Sequence, residues 1–331
     1  MKPKLFVSVL ALAGLAAFPS QARDRILIVG SSTVFPFSSA VAETFGAASG
    51  AKTPVVESTG TGGGIRMFCA GTGPSTPDIT NASRPMKTEE REVCTANGVT
   101  PIEVIIGYDG IVLANSRSGP VFNLTREQLF LALSRIVPAD GGMVENGYES
   151  WSDISADLPD EPIEVFGPPP TSGTRDAFVE LVMDVGCASA AMAAGSSCSD
   201  LRQDGAYIEA GENDDLIVGK LEANPMTVGI FGYSFLDQNS TQIQGASIEG
   251  VEPSFINIAS GAYPVSRPLY FYVKKEHLAQ IPALEGYLRE FTNEATWGDG
   301  GYLAQRGLIP LDAQTRTGIR SKLETHITGT N

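Results

Sequence analysis

Three short stretches of Ser, Thr and Gly each lie between a strand-like and a helix-like segment, at residues 30–34, 58–64 and 167–175. The start of a helix leaves up to four N–H groups unpaired and carries about half a positive charge. Gly lets an oxyanion approach these groups, and the hydroxyls add further donors. One such turn is typical of an ordinary helix cap. Three in one chain predict a site for a compact tetrahedral oxyanion.

The chain is acidic, with 38 Asp and Glu against 23 Lys and Arg and a formal net charge of -15. This excess of negative charge argues against a nucleic-acid backbone or an anionic membrane surface as a partner. It does not exclude a small anion. Each charge-assisted hydrogen bond contributes about 1.5–3 kcal/mol, so about seven converging donors offset the desolvation of one ion.

Two further segments supply charged side chains. Arg84 precedes Pro85 at the end of a strand-like run, which biases its backbone toward an extended conformation. Asp109 interrupts the apolar strand predicted over residues 104–113 and needs a partner if it is buried. A turn or edge position is the alternative for Asp109, and a surface salt bridge is the alternative for Arg84.

Catalytic and metal-binding groups are scarce. The only histidines are His277, in a polar run, and His326, near the C-terminus, and both are predicted to be solvated surface residues. The chain has no G-x-S-x-G, H-E-x-x-H or G-x-x-x-x-G-K-[ST] motif and no C-x-x-C pair. These absences favour a binding protein over an enzyme, and they indicate neither a metal nor a cofactor.

The N-terminus has the pattern of a secretory signal. Lys2 and Lys4 precede an uncharged apolar run over residues 5–18, and small residues follow at 20–22. The run is shorter than the ~20 residues that span a bilayer. Residues 1–22 are therefore predicted to be a removed signal peptide, and the protein is predicted to be exported to the periplasm.

Export places the four cysteines in an oxidising compartment, where three pairings are open. Proximity along the chain favours Cys69 with Cys94 and Cys187 with Cys198. Both disulfides are expected to be structural.

Strand-like and helix-like segments alternate along the chain, which predicts an α/β fold with about two domains. Strands are expected at residues 26–29, 54–57 and 163–166, and the helix after the third turn is expected to stop at Gly186. In such folds ligands collect at the carboxyl ends of strands.

The order and spacing of the motifs resemble the PstS family, the periplasmic phosphate-binding receptors of the phosphate ABC transporter. The resemblance spans about residues 26–310, and its motifs are GSST at 30–33, STGTGGG at 58–64, NASRP at 81–85, YDG at 108–110 and TSGTR at 171–175. It has further support from WSDI at 151–154, VGIFGY at 228–233 and SGAYPVSRPL at 260–269.

The resemblance implies a monomeric, two-lobed periplasmic-binding-protein fold that holds phosphate between hinged lobes and delivers it to an inner-membrane ABC permease. Each lobe is expected to be a doubly wound sheet with flanking helices. The first lobe is predicted to hold residues 23–109 and 268–331, and the second residues 110–267. Two hinge crossings are expected near residues 110–115 and 268–273.

Carried over position by position, the resemblance also names phosphate-binding residues. The hydroxyls of Ser32 and Thr33 and the backbone N–H of Val34 match the first turn, and Thr61 matches the second. From the other lobe, the third turn is matched by Ser172, Gly173 and Thr174.

Charged members of the predicted site follow from departures from the family pattern. Ser83 is also expected at the phosphate, but it stands where some members have an aspartate that accepts the phosphate proton, so Asp109 is the best remaining acceptor. Arg84 and Arg175 are expected to add positive charge. Pro168 stands where some members have a phosphate-binding arginine, which makes Arg175 the candidate replacement.

Two other functions remain open at this point. One is a receptor for another tetrahedral oxyanion, such as sulfate, molybdate or phosphonate. The other is an exported phosphate-binding adhesive protein or phosphatase.

Overall fold

A computed structural model describes residue 23 and residues 25–139, 142–170, 172–189, 200–211 and 214–329. The predicted signal peptide and Cys198 lie outside these described residues, as does Thr171. Within the described part of the chain, no helix combines the length and the apolar character needed to cross a membrane.

Strands and helices alternate through most of the chain. The strands are β1 (Leu27–Gly30), β2 (Val55–Ser58), β3 (Ile79–Ala82), β4 (Pro101–Ser116), β5 (Asn123–Leu124), β6 (Ile136–Ala139), β7 (Gly142–Glu145), β8 (Val165–Gly167), β9 (Tyr207–Glu209), β10 (Val228–Gly232), β11 (Ile243–Gly245), β12 (Ser247–Ile248) and β13 (Ser266–Lys274). The helices are α1 (Phe35–Ser49), α2 (Thr61–Phe68), α3 (Thr88–Ala96), α4 (Arg126–Leu133), α5 (Trp151–Ile154), α6 (Gly173–Phe178), α7 (Asp184–Ser189), α8 (Asp214–Ala223), α9 (Tyr233–Gln238), α10 (Phe255–Ala259), α11 (Pro282–Phe291), α12 (Glu294–Trp297) and α13 (Ala313–Thr328). A π-helical turn at Val179–Met183 joins α6 to α7, and 3₁₀ turns lie at Lys275–His277 and Ala304–Arg306.

The main sheet has the strand order β2-β1-β3-β13-β4-β10-β8-β9, with β11 added beside β4. Strands β2, β1 and β3 are parallel, as are β10, β8 and β9, whereas β13 and β4 run antiparallel to their neighbours. This mixed sheet with flanking helices confirms the predicted α/β class.

Strand β4 links two hydrophobic cores. Its residues up to Gly110 pair with β13, and its residues from Ile111 onward pair with β10 and β11. The first core contains Ile28, Val104 and Phe271, among others, and the second contains Ile111, Trp151 and Ile230. The chain returns from the second core at Val265 to the first at Leu269. The exact lobe boundaries stay a prediction.

Two glycines let the first parallel strands and the second turn pack closely. A Cβ at Gly30 would lie 2.2 Å from the Asn81 carbonyl oxygen, and a Cβ at Gly64 would lie 2.5 Å from the Gly30 Cα. The prediction that residues 58–64 form a turn is therefore partly wrong. Helix α2 already begins at Thr61, because its glycine-rich first turn must rest directly on β1.

Two other local expectations also change in the structure. The helical run after the third turn does not stop at Gly186 but continues to Ser189. Gly186 instead gives room to α4, since a Cβ there would lie 2.2 Å from the Arg126 carbonyl oxygen. Asp109 lies within β4 rather than in a turn, directly opposite Arg267 of β13 in the strand register.

The prediction of a solvated His277 is wrong. The 3₁₀ turn after β13 directs this side chain inward, where its Nδ1 lies 2.6 Å from Asp78 Oδ1 and its Nε2 donates to the Thr72 carbonyl at 3.0 Å. Lys274, in the same polar run, is also buried and donates to the Gly71 carbonyl at 2.6 Å. Buried hydrogen-bond partners thus hold two polar side chains that the sequence alone places in solvent. His326 is partly buried on α13.

The predicted disulfide between Cys69 and Cys94 is confirmed and links the end of α2 to α3. Both cysteines are buried beside Phe68 and Tyr272. Cys187 is buried in the second core, and its predicted partner Cys198 lies outside the described residues, so the second disulfide stays a prediction.

Candidate anion-binding site

The first turn lies between β1 and α1, at the carboxyl edge of the sheet. The strand residues Ile28 and Val29 and the helix residues Phe37 and Val41 are buried, which fixes the turn between them. Within the turn, the backbone N–H groups of residues 32–34 find no hydrogen-bond acceptor among the described residues. Three adjacent donors are therefore available to an anion.

The second turn opens α2, and its predicted residues are in contact. Thr61 Oγ1 lies 3.0 Å from Ser83 Oγ and accepts a hydrogen bond from the Ser83 backbone N–H at 3.2 Å. Ser83 directly follows β3, the neighbour of β1 in the sheet. The parallel order β2-β1-β3 thus gathers the loops after all three strands at one edge, as such sheets do at ligand sites.

The third turn comes from the second core and rests on the first turn. Ser172 Oγ accepts a hydrogen bond from the Thr174 N–H at 3.2 Å and so caps α6. A Cβ at Gly173 would lie 2.9 Å from both the Ser32 carbonyl oxygen and the Thr33 Cα. The structure therefore brings Ser32, Thr33 and Gly173 together, and their role in binding stays a prediction.

Asp109 and Arg267 lie beside this contact and connect it to β4 and β13. Arg267 is 7% exposed, and its Nη2 donates to Thr33 Oγ1 at 2.9 Å. Its Nη1 donates to Glu180 Oε2 at 2.5 Å, and its Nε lies 3.7 Å from Asp109 Oδ2. Neither Arg267 Nε nor Asp109 Oδ2 has a hydrogen-bond partner among the described residues. Most buried polar atoms in proteins have a hydrogen-bond partner. Arg267 Nε can therefore still donate a hydrogen bond, and Asp109 Oδ2 can still accept one.

Carboxylates surround the first turn. Burial raises the pKa of Asp109, and the nearby Arg267 guanidinium opposes that rise. The hydroxyl of Ser32 donates a short hydrogen bond to Asp176 on α6. Asp176 and Glu180 are four residues apart, so both extend from the same side of the helical run toward the turn. An incoming anion therefore meets hydrogen-bond donors and carboxylates together.

Arg84 is held mainly by an acidic partner. Its guanidinium makes two hydrogen bonds to Glu90, at 2.9 and 2.8 Å, and this pairing raises the pKa of Arg84 and lowers that of Glu90. A Cβ at Gly62 would lie 3.8 Å from Arg84 Nη2, so the guanidinium borders the first turn of α2. The surface salt bridge considered from the sequence is present, and the role of Arg84 in binding stays a prediction.

Arg175 packs against β9 and against the backbone of the third turn. Its guanidinium stacks 4.7 Å from the centre of the Tyr207 ring, and its Nη1 donates to the Pro168 carbonyl at 3.3 Å. It lines a separate cavity that also includes Arg135 and Arg202. Burial raises the pKa of Tyr207 to about 12, so this phenol stays neutral. The contacts of the Arg175 guanidinium among the described residues are thus with Tyr207 and Pro168, and its role in binding stays a prediction.

Sequence reasoning did not assign a role to Arg267, Asp176 or Glu180. Arg267 stands in an apolar strand directly before a proline, and an isolated cation in such a run was the available signal. Asp176 and Glu180 follow the third turn at helical spacing and read as ordinary helix residues. Among the described residues, no group of three or more His, Cys, Asp or Glu is arranged to hold a metal ion.

Comparison with known proteins finds relatives that match most of the chain. Residues 17–295 match the model of a PBP superfamily domain. The chain is 30% identical to the protein SphX of Synechococcus elongatus over 97% of its length and 90% of that protein. It is 29% identical to the phosphate-binding protein PstS of Staphylococcus saprophyticus over 89% of its length and 83% of that protein.

A solved structure agrees with the fold. The crystal structure of a possible phosphate binding protein from Planctomyces limnophilus is similar, with a TM-score of 0.76 and 27% identity over 92% of this chain and 98% of that one. The predicted periplasmic-binding-protein fold is therefore confirmed. Together with the family match, these relatives show that the chain belongs to the PstS family of the PBP superfamily.

Proposed function

We propose that this protein is an exported receptor that captures inorganic phosphate where its three hydroxyl-rich turns meet. The observation that carries the proposal is the contact between the first and third turns, which come from the two different cores. A ligand bound between them receives N–H groups from residues 32–34 and the hydroxyls of Thr33 and Thr61. Closure of the two parts around one small ion follows from that arrangement.

Phosphate is favoured over other oxyanions because of the carboxylates around the site. Near neutral pH phosphate carries at least one proton and can donate a hydrogen bond to Asp109, whereas sulfate carries none and is repelled. Asp109 Oδ2 has no hydrogen-bond partner among the described residues and supplies such an acceptor. The same carboxylates argue against a fully deprotonated dianion as the natural ligand.

A receptor role is also favoured over catalysis. Relatives named for phosphate binding match the chain over most of its length, and the three turns offer donors rather than a nucleophile with its base. We therefore propose that the protein binds phosphate without hydrolysing esters. Incubation with a chromogenic phosphomonoester tests this point, and release of phosphate above the buffer rate contradicts it.

Titration calorimetry tests the ligand. The chain from residue 23 onward is titrated with phosphate, arsenate, sulfate and molybdate in separate runs. Phosphate and arsenate, which are both protonated near neutral pH, are expected to bind, and sulfate and molybdate are expected to bind at least about a hundredfold more weakly. Equal binding of sulfate contradicts the proposal and favours a general oxyanion receptor.

Delivery to an inner-membrane ABC permease is part of the same proposal. It is tested by phosphate uptake into membrane vesicles that contain the phosphate permease of the same cell. Added protein is expected to stimulate uptake of radioactive phosphate, and a variant that does not bind phosphate serves as the control. Uptake that is independent of the added protein contradicts delivery.

A further inference from the structure

Arg267 is central in the site but has both ends of its guanidinium engaged by protein groups. Nη2 donates to Thr33 Oγ1, and Nη1 donates to Glu180 across the boundary between the two cores. A buried guanidinium without partners is costly, so these contacts hold its orientation. The same side chain also lies next to the buried Asp109.

The hydroxyl protons of the first turn are used differently at its two residues. A Ser or Thr hydroxyl has one proton to donate and two lone pairs to accept. The Ser32 hydroxyl donates its one hydrogen bond to Asp176. Thr33 accepts from Arg267, and its own proton has no acceptor among the described residues. A cationic donor on a hydroxyl oxygen strengthens that hydroxyl as a donor.

We infer that Arg267 is a positioning residue that turns Thr33 into the donating hydroxyl of the anion site and is itself aimed by Glu180. The inference rests on the proposed function, because it assigns how one hydroxyl of that site is prepared for phosphate. Arg267 acts through Thr33, and Glu180 acts through Arg267. Contact between the second core and the first turn thereby determines how well the Thr33 hydroxyl can donate to the anion.

A double-mutant cycle in phosphate affinity tests this coupling. Thr33→Val and Arg267→Gln are each expected to lower the affinity at least about tenfold, as expected for loss of a hydrogen bond to a charged group. The two changes together are expected to lower it by no more than about threefold beyond the weaker single variant, because both remove the same donor. Losses that multiply, to about a hundredfold, show that Arg267 acts independently of Thr33 and overturn the inference.

Two further variants separate positioning from charge and from folding. Arg267→Lys keeps the charge but cannot reach Thr33 and Glu180 together, so it is expected to bind phosphate as weakly as Arg267→Gln. Glu180 is 54% exposed, so Glu180→Gln is expected to fold, and it should weaken binding only when Arg267 is present. Full binding by Arg267→Lys, or an unchanged affinity in Glu180→Gln, overturns the inference.

The matched control is Arg126→Gln, which breaks an Arg–Glu pair with Glu249 outside the three turns and is expected to bind normally. Thermal melting of each variant shows that it is folded. If Arg267→Gln does not fold, the cycle between Thr33→Val and Glu180→Gln replaces it, and additive losses again overturn the inference. Absence of phosphate binding by the unaltered chain refutes the proposed function itself, whereas additive losses in a chain that binds phosphate refute only the role of Arg267.

Discussion

Gly173 gives the sharpest single perturbation, because an added side chain would meet the backbone of the first turn. A Cβ at this position would lie 2.9 Å from the Ser32 carbonyl oxygen and from the Thr33 Cα, both of them backbone atoms. Neither can move without displacing the turn that is proposed to hold the anion. Gly173→Val therefore separates the two turns in any state in which they meet.

The size of the effect follows from the cost of overpacking. Forcing extra carbon atoms into a closed contact costs about 1–3 kcal/mol. If this cost falls on the bound, closed state alone, phosphate affinity drops by about 5-fold to 150-fold. Gly173→Ala is expected to lie at the low end of that range and Gly173→Val at the high end.

Titration calorimetry with phosphate measures the loss, and thermal melting confirms that each variant is folded. Gly219→Ala is the matched control, since a Cβ at Gly219, on α8, meets nothing within 4 Å. It is expected to bind like the unaltered chain. A folded Gly173→Val variant with unchanged phosphate affinity would falsify the idea that the first and third turns close on the ligand.

Three further predictions concern selectivity, covalent linkage and pH. Asp109→Asn is expected to raise the ratio of sulfate affinity to phosphate affinity at least about tenfold in competition titrations. An unchanged ratio shows that another group accepts the hydrogen bond from the phosphate proton. Replacing Cys69 and Cys94 with alanine opens a link of 25 residues and is expected to cost about 3.5 kcal/mol in urea unfolding, whereas an unchanged midpoint refutes a structural role. Burial lowers the pKa of Lys274 from about 10.5 to about 8, so the folded state binds its proton less tightly than the unfolded state does. Stability relative to Lys274→Met is therefore expected to rise from about pH 8 to about pH 10.5 in urea unfolding, and a constant difference over that window contradicts it.

The parts of the site that the sequence predicts are those set by neighbours along the chain. The turns at residues 30–34 and 172–174 follow from a short strand, a few small residues and a helix start, so their chemistry is local. The Cys69–Cys94 disulfide is similar, because Cys69 directly follows α2 and Cys94 lies on the next helix, α3. Local patterns were sufficient for these features.

The parts that the sequence does not predict depend on contacts between distant segments. Arg267 faces Asp109 only because β13 and β4 pair in one particular register, and 158 residues separate the two along the chain. The motif predicts Arg175 at the anion, whereas its guanidinium stacks on the ring of Tyr207, which β9 supplies. His277 is buried because its Nδ1 pairs with Asp78, which lies directly before β3. Side-chain direction in such places is set by a partner that no local pattern reveals.

A crystal structure of the chain from residue 23 onward, grown with phosphate, tests the central claim most directly. The anion is expected between the first and third turns, within hydrogen-bond distance of the N–H groups of residues 32–34 and of the hydroxyls of Thr33 and Thr61. Phosphate bound only in the separate cavity of Arg135, Arg175 and Arg202 would contradict the account, because the three hydroxyl-rich turns would then be ordinary helix caps.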